Sequence, residues 1–318
     1  MELHTQGGLH YRTRIPKFGR AVAYHYPSCD ALLSATGHEV YRLNLDQGRF
    51  LNPLSLDAET VQGINCIDIS PAHQLLSFGT EGFPGAAAGV VDFWDLRSRT
   101  RVGTLRLPWS QLTPPGPSSS TVPREAFRVT SLASRSDGLS LAVGTSTGHT
   151  LLYDIRSPRA YAIKDQGYGL PVKCVSWAEG VSNKLAGDGI VISADAKVIK
   201  LWDRNTVSEI PLGLEKSHSH TFQPDANFAS ITPATDVNHV IQIPSSGLLM
   251  AANEGIRMTS YYIPALGPAP KWCSFLDNIT EEMEEQTART VYDDFKFLDR
   301  QELSACVSNL SAERNTLC

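Results

Sequence analysis

One pentapeptide in the sequence has the spacing of a catalytic serine motif. Gly144, Ser146 and Gly148 match G-x-S-x-G, the turn that exposes a nucleophilic serine in many hydrolases. That motif needs a strand, a strained turn and then a helix, whereas the residues after Gly148 read HTLLYD, a pattern typical of a strand. We therefore expect this turn to join two antiparallel strands, and we expect no catalysis at Ser146.

The sequence contains no convincing metal-binding or phosphate-binding motif. Only His218 and His220 lie close together among nine histidines, with no cysteine nearby, and the six cysteines form no C-x-x-C pair. The sequence contains neither the P-loop motif nor the dinucleotide-binding glycine fingerprint. Asp293 and Asp294 are neighbours whose side chains point apart on an extended chain. The sequence thus predicts no enzyme, no cofactor, no metal and no small-molecule substrate.

Membrane insertion is not expected either. No apolar run approaches the roughly 18 to 20 residues that cross a bilayer, and the opening MELHTQGGLHYRTR lacks the pattern of a signal peptide. We expect an intracellular protein that acts through its surfaces.

The segment YRTRIPKFGR (11–20) is the first candidate surface. Residues 10–20 contain no acid. Cations beside an aromatic ring suit phosphate contact and stacking on RNA, or contact with an acidic protein. A strand edge whose charges only face water is an equal alternative. The candidate contact residues are Arg12, Arg14, Lys17, Phe18 and Arg20.

The segment KWCSFLDN (271–278) is the second candidate surface. It follows a stretch too rich in proline to build its own core, so Lys271, Trp272 and Phe275 either cover the side of the fold or anchor a partner.

Charge is distributed unevenly along the chain. Residues 277–302 hold nine acids against three bases, although the whole chain carries a net charge of only −5. A near-neutral body with one acidic arm does not coat nucleic acid through its overall charge.

Five internal repeats must position these residues. Each repeat has a strand of small residues, a turn, and a strand that ends near an aromatic residue; the five cover 32–44, 75–97, 141–156, 191–204 and 249–263. Their marker aromatics are 49 to 60 residues apart, against about 40 to 45 in compact WD repeats. Insertions account for much of the excess, and 107–127 and 213–236 are predicted as surface loops.

The repeats predict an all-β protein of the WD40-type β-propeller class with about five recognisable blades. In VIKLWD (198–203) both strand faces carry apolar residues, which suits strands buried between neighbouring blades. We expect an incomplete propeller over 1–263, an extended segment with a short acidic helix over 264–303, and an unstructured tail over 304–318. Asn278 and Glu281 would cap the acidic helix.

Several motifs together resemble one family. They are EVYRLNLDQGRFLNPL, VGTSTGHTLLYDIRS, DQGYGLPVKCV, ISADAKVIKLWD, YYIPALGPAPKWCSFLDNITEEMEE and TVYDDFKFL. With YRTRIPKFGR they are similar, in unbroken order from about His4 to Leu303, to the nucleolar WD-repeat family called nucleolar protein 10 in animals and essential nuclear protein 2 in yeast.

The resemblance implies a seven-bladed propeller without catalytic residues, located in the nucleolus of the nucleus. It implies a scaffold in ribosome biogenesis that works in the small-subunit processome and in 18S rRNA maturation, through contacts with other processome proteins and some contact with pre-rRNA. Family members carry about two further blades before Glu2 and a long charged extension after Leu303, so we expect this sequence to be shortened at both ends.

The propeller pattern alone leaves a second function open. A WD-repeat adaptor of another complex, such as a substrate receptor of a ubiquitin ligase, would have the same repeats. The proteins that copurify with the chain distinguish the two, since cullin components would accompany the adaptor and processome proteins the scaffold.

Overall fold

Strands account for most of the regular structure. The computed structural model describes residues 1–83, 88–112, 127–178, 189–205, 227–255 and 257–277. Contacts divide the chain into two units, Met1–Gly267 and Pro268–Cys318. The predicted acidic helix and tail lie outside the described residues. No helix within those ranges is long and apolar enough to cross a lipid bilayer.

The strands form successive antiparallel sheets in which neighbours in sequence are neighbours in space. A hairpin comes first, with β1 (Glu2–Thr5) and β2 (Gly8–Arg12). Blade 1 holds β3 (Gly19–His25), β4 (Asp30–Ala35), β5 (Glu39–Asn44) and β6 (Arg49–Ser55). Blade 2 holds β7 (Val61–Ile69), β8 (Leu76–Gly82), β9 (Val90–Asp95) and β10 (Thr100–Arg106).

Three further sheets follow. Blade 3 holds β11 (Val129–Ser134), β12 (Ser140–Thr145), β13 (His149–Asp154) and β14 (Ala160–Asp165). Blade 4 holds β15 (Cys174–Trp177), β16 (Ile190–Ala194), β17 (Ile199–Asp203) and β18 (Asn227–Ile231). Blade 5 holds β19 (Val237–Gln242), β20 (Leu248–Asn253) and β21 (Met258–Tyr262). Short 3₁₀ turns lie at Tyr26–Ser28, Pro264–Leu266 and Lys271–Cys273.

The sheets are arranged as a propeller. The first strands of successive blades contact one another, β3 with β7, β7 with β11, β11 with β15, and β15 with β19. Separate hydrophobic clusters fill the spaces between blades 1 and 2, 2 and 3, 3 and 4, and 4 and 5. Second strands are buried on both faces, as in β4 and β12, where all six residues are buried. The predicted all-β propeller with two-sided strands is therefore confirmed.

The β1–β2 hairpin packs on the face of blade 1 that points away from blade 2. Met1, Tyr11 and Ile15 contact the buried side chains of Leu33 and Leu43, among others, on that face. The hairpin thus joins the basic segment to the first blade.

The structure differs from the sequence prediction at two loops. Leu107, Trp109 and Leu112, at the start of the predicted surface loop 107–127, are buried in the cluster between blades 2 and 3. The helix α1 (Trp109–Leu112) holds them there, and Trp109 Nε1 donates to Gly89 O at 2.9 Å. The stretch 213–236, also predicted as a loop, contains β18, which pairs with β17. Prolines and serines in the rest of each stretch hid these short apolar segments.

We predict that Trp109→Ala lowers the free energy of unfolding by about 3 to 5 kcal/mol, because it empties a packed site and removes the stack on Phe127, whose ring centre lies 5.2 Å away. Denaturant unfolding measures this. Trp272→Ala is the matched control: its side chain is 73% exposed, so the change should stay within about 0.5 kcal/mol. Equal effects of the two substitutions would contradict the burial of Trp109.

A buried polar network ties β4 to β5 in blade 1. Asp30, fully buried, accepts from Arg42 Nη2 at 2.6 Å and from Asn44 Nδ2 at 2.9 Å. Burial raises the pKa of the Asp30 carboxyl, but these donors outweigh burial and hold the pKa below its ordinary value of 3.8. The network therefore stabilises the fold at pH values above 3.8 and loses that contribution as the pH falls through the folded pKa.

We predict that Asp30→Asn costs about 3 to 5 kcal/mol at pH 7, because it leaves the Arg42 charge buried without its carboxylate. Unfolding measured from pH 7 to pH 3 should show a smaller loss of stability in the variant than in the unaltered chain. Asp46→Asn, at an exposed position, serves as control. An Asp30→Asn protein as stable as the parent at pH 7 would rule out a stabilising role for the pair.

Candidate interaction surface

The basic segment connects the hairpin to blade 1. Arg12 ends β2 and Gly19 begins β3, so the intervening residues run between two strands with fixed ends. Thr13 N donates to Met1 O at 3.0 Å, and Phe18 O accepts from Thr36 N at 3.2 Å. Backbone hydrogen bonds therefore hold both ends of the segment.

All five predicted residues of this segment are exposed, although the side chain of Arg20 is only 27% exposed, and the other four present their side chains to solvent together. Those four are Arg12, Arg14, Lys17 and Phe18, and the Phe18 side chain is 81% exposed. Arg12 Nε lies 3.2 Å from Glu2 Oε1, but both partners face solvent, so the pair contributes about 0 to 1 kcal/mol. The segment thus presents cations beside an aromatic ring, as a phosphate-contacting or acid-contacting surface requires.

Arg20 has a different environment. Its Nη1 lies 2.6 Å from Glu81 Oε2 and also donates to Asn65 Oδ1, and both partners belong to blade 2. Gly63 makes room for the guanidinium, since a Cβ there would lie 2.6 Å from Nη1. Asn65 Nδ2 in turn donates to Val129 O of blade 3 at 3.0 Å. Arg20 therefore ties blades together, a role its sequence neighbours could not reveal because Glu81 lies 61 residues away.

The second candidate segment belongs to the unit that begins at Pro268. Lys271 is exposed, and the side chains of Trp272 and Phe275 are 73% and 58% exposed. The turn closes on itself, because Cys273 N donates to Pro270 O at 2.7 Å and Ala269 N donates to Asp277 Oδ1 at 2.9 Å. These bonds fix a short turn that carries two large apolar side chains in solvent.

The serine motif lies in a hairpin turn. Gly144 is in β12 and His149 begins β13, so the turn joins two antiparallel strands, as predicted. Ser146 Oγ accepts from Arg128 N at 3.2 Å, and His149 Nδ1 lies 3.1 Å from Thr147 Oγ1. Across the described ranges, no three histidine, cysteine or acidic side chains group closely enough to hold a metal ion.

The architecture and the surfaces together define a β-propeller protein whose candidate sites are exposed cations and aromatic rings. The family model "Nucleolar protein 10-like, N-terminal domain" matches residues 1–287. The chain belongs to the nucleolar protein 10 family, as its motifs suggested.

Curated relatives support this assignment along almost the whole chain. "Ribosome biogenesis protein enp2 homolog" of Schizosaccharomyces pombe is 48% identical and "Ribosome biogenesis protein ENP2" of Saccharomyces cerevisiae is 40% identical, each over 95% of this chain. "Nucleolar protein 10" of Xenopus laevis is 45% identical over 95% of this chain. The aligned part is 43%, 37% and 38% of those proteins respectively, so the chain spans about two fifths of their length.

A solved structure supports the fold alone. A chain of "Crystal Structure of Mitotic Checkpoint Complex" superposes with a TM-score of 0.57 at 18% identity. The superposition covers 82% of this chain and 66% of that one.

We predict that Arg20 and Glu81 are coupled by about 0.5 to 1.5 kcal/mol in a double-mutant cycle, because the ion pair is largely shielded from water and joins two blades. Denaturant unfolding of Arg20→Ala, Glu81→Ala and the double variant measures the coupling. The exposed pair of Arg12 and Glu2 is the control, with an expected coupling of about 0 to 0.5 kcal/mol. Equal coupling in both pairs would mean that Arg20 is only another surface cation.

Proposed function

We propose that the chain is the propeller part of a non-catalytic scaffold in nucleolar ribosome biogenesis. In this role it takes part in small-subunit processome assembly and in 18S rRNA maturation. The observation that carries the proposal is the similarity, over 95% of the chain, to proteins named as ribosome biogenesis factors. The chain spans about two fifths of the length of those relatives, so a role of the whole protein is part of the proposal.

A propeller supports a scaffold role physically. Its blades bury one another's faces, so loops and outer edges are left for partners, and several partners can bind at once. The turn with Trp272 and Phe275 fits a protein contact, since large apolar side chains in solvent are the usual anchors of interfaces. We assign it, with Lys271, to contact with another processome protein.

We assign Arg12, Arg14, Lys17 and Phe18 to contact with pre-rRNA. Their three cations reach solvent on a segment with both ends held, and Phe18 offers a ring for base stacking. Arg20 acts indirectly, by holding the start of β3 against blade 2. Because the net charge of the chain is −5, RNA contact should be local and should not extend over the whole surface.

We predict that cells depleted of the full gene product accumulate precursors of 18S rRNA, and that the unaltered protein restores processing. The protein with Arg12→Glu, Arg14→Glu and Lys17→Glu should crosslink several-fold less to pre-rRNA, because it loses three phosphate-contacting cations and gains three like charges. Northern blots measure the precursors, and ultraviolet crosslinking of the full protein measures RNA contact.

The matched control is Arg97→Glu, Arg99→Glu and Arg159→Glu, an equal charge change at exposed positions elsewhere on the propeller. It should crosslink as the unaltered protein does. Normal 18S processing after depletion would overturn the scaffold role, and copurification of cullin components without ribosome-assembly proteins would favour a ubiquitin-ligase adaptor. Equal crosslinking of both triple variants would remove the assigned RNA contact.

A further inference from the structure

A cavity of about 480 Å³ opens on blade 2, beside the connection that leads from blade 1 to blade 2. The connection from β6 to β7 contributes Asp57 and Thr60, and blade 2 contributes the buried side chains of Thr80 and Asp92. Val61, Leu107 and Trp109 add an apolar part to the wall. We call this cavity the blade 1–2 pocket.

A β-bulge places two arginines of β10 on the pocket. Arg106 pairs with Val90, Thr104 with Asp92, and, beyond a register shift at Val102, Arg101 with Trp94. Val90, Asp92 and Trp94 are alternate residues of β9, so they share one face of the sheet. Their partners on β10, which are Arg106, Thr104 and Arg101, therefore lie on that same face. Without the extra residue, Arg101 would point to the other side, because bulges re-aim side chains in this way.

The two guanidinium groups have hydrogen-bonding capacity for a ligand. In the parts of the chain that the structure describes, neither Arg101 nor Arg106 forms a side-chain hydrogen bond or ion pair. The Asp92 carboxylate accepts from the Thr104 hydroxyl, and Asp57 Oδ1 accepts from Glu59 N at 3.1 Å. The carboxylates on the wall thus already accept hydrogen bonds from groups of the chain. The two guanidinium groups donate no hydrogen bond to an acceptor within the described residues.

Burial also changes the acidity of the Asp92 carboxyl. It raises the pKa of the Asp92 carboxyl above its ordinary value, and the Thr104 hydroxyl and the Arg101 charge offset only part of this effect.

We propose that the blade 1–2 pocket binds an extended segment of a partner protein through one acidic side chain and an adjacent apolar side chain. The carboxylate pairs with Arg101 and Arg106, which suits the fork geometry of guanidinium groups. The apolar neighbour packs against Val61 and Leu107. An RNA strand fits less well, because its repeated phosphates need a continuous positive surface and this pocket holds two carboxyl groups beside its two cations.

The blade 1–2 pocket contains none of the residues assigned to RNA contact, and neither Trp272 nor Phe275. If the pocket binds no peptide, the proposed scaffold role is therefore unaffected. The test selects a random hexapeptide display library on the full chain. We expect selected peptides to carry Asp or Glu next to an apolar residue. Fluorescence polarisation should show that Arg101→Glu with Arg106→Glu weakens the best peptide at least about tenfold, because charge-assisted hydrogen bonds are lost.

Arg97→Glu with Arg99→Glu is the matched control, since it makes the same charge change at the exposed β9–β10 turn outside the pocket. The affinity of this control variant for the peptide should stay within about twofold of that of the unaltered chain. Arg101→Gln with Arg106→Gln repeats the test if charge reversal impairs folding, which circular dichroism reports. Selection of no peptide, or of peptides without acids, would overturn the proposal. So would equal affinity in pocket and control variants, or displacement of the peptide by decauridylate RNA.

Discussion

The packing of each sheet against its neighbouring sheets is the constraint on which the rest of this molecule depends. Trp202, Tyr153 and Phe78 are fully buried within sheets that would expose them if they stood alone. Burial of each such side chain contributes about 1.5 to 3 kcal/mol, so a blade gains most of its stability from its neighbours. Polar contacts between blades then fix how the sheets align: Trp177 Nε1 donates to Ala133 O at 2.9 Å, and Lys173 Nζ donates to Asn238 Oδ1 at 3.0 Å.

Local patterns predicted the strands because a strand's period lies within a few residues of sequence. The apolar character of both faces in VIKLWD predicted burial between blades, and β17 is buried in that way. Arg20 could not be assigned from sequence, because its partner Glu81 becomes a neighbour only after two sheets pack. Trp109 was missed because proline and serine dominate its surroundings. Arg101 and Arg106 share a face only because β10 contains a bulge. Their odd separation in sequence would place them on opposite faces of a regular strand, so sequence alone suggests the wrong arrangement.

Two buried carboxyl groups in adjacent blades show how partners decide a role. Asp30 receives hydrogen bonds from Arg42 and Asn44, so its pKa falls and its charge becomes part of the fold. Asp92 has the Thr104 hydroxyl as its side-chain donor, so burial prevails and its pKa rises. A carboxyl that internal donors satisfy stabilises a blade. A carboxyl that is only partly satisfied, beside an open cavity and two arginines whose guanidinium groups donate no hydrogen bond within the described residues, suits the proposed ligand site.

The same packing explains why the basic segment suits a partner. Its side chains are exposed, yet its backbone is held at Thr13 by Met1 and at Phe18 by Thr36, and β3 is tied to blade 2 through Arg20. A segment held in this way loses less conformational entropy on binding than a free loop would, so more of its contact energy appears as affinity. Arg20 therefore supports the surface from within: the pair with Glu81 fixes where the exposed cations lie, and the exposed cations make the contact.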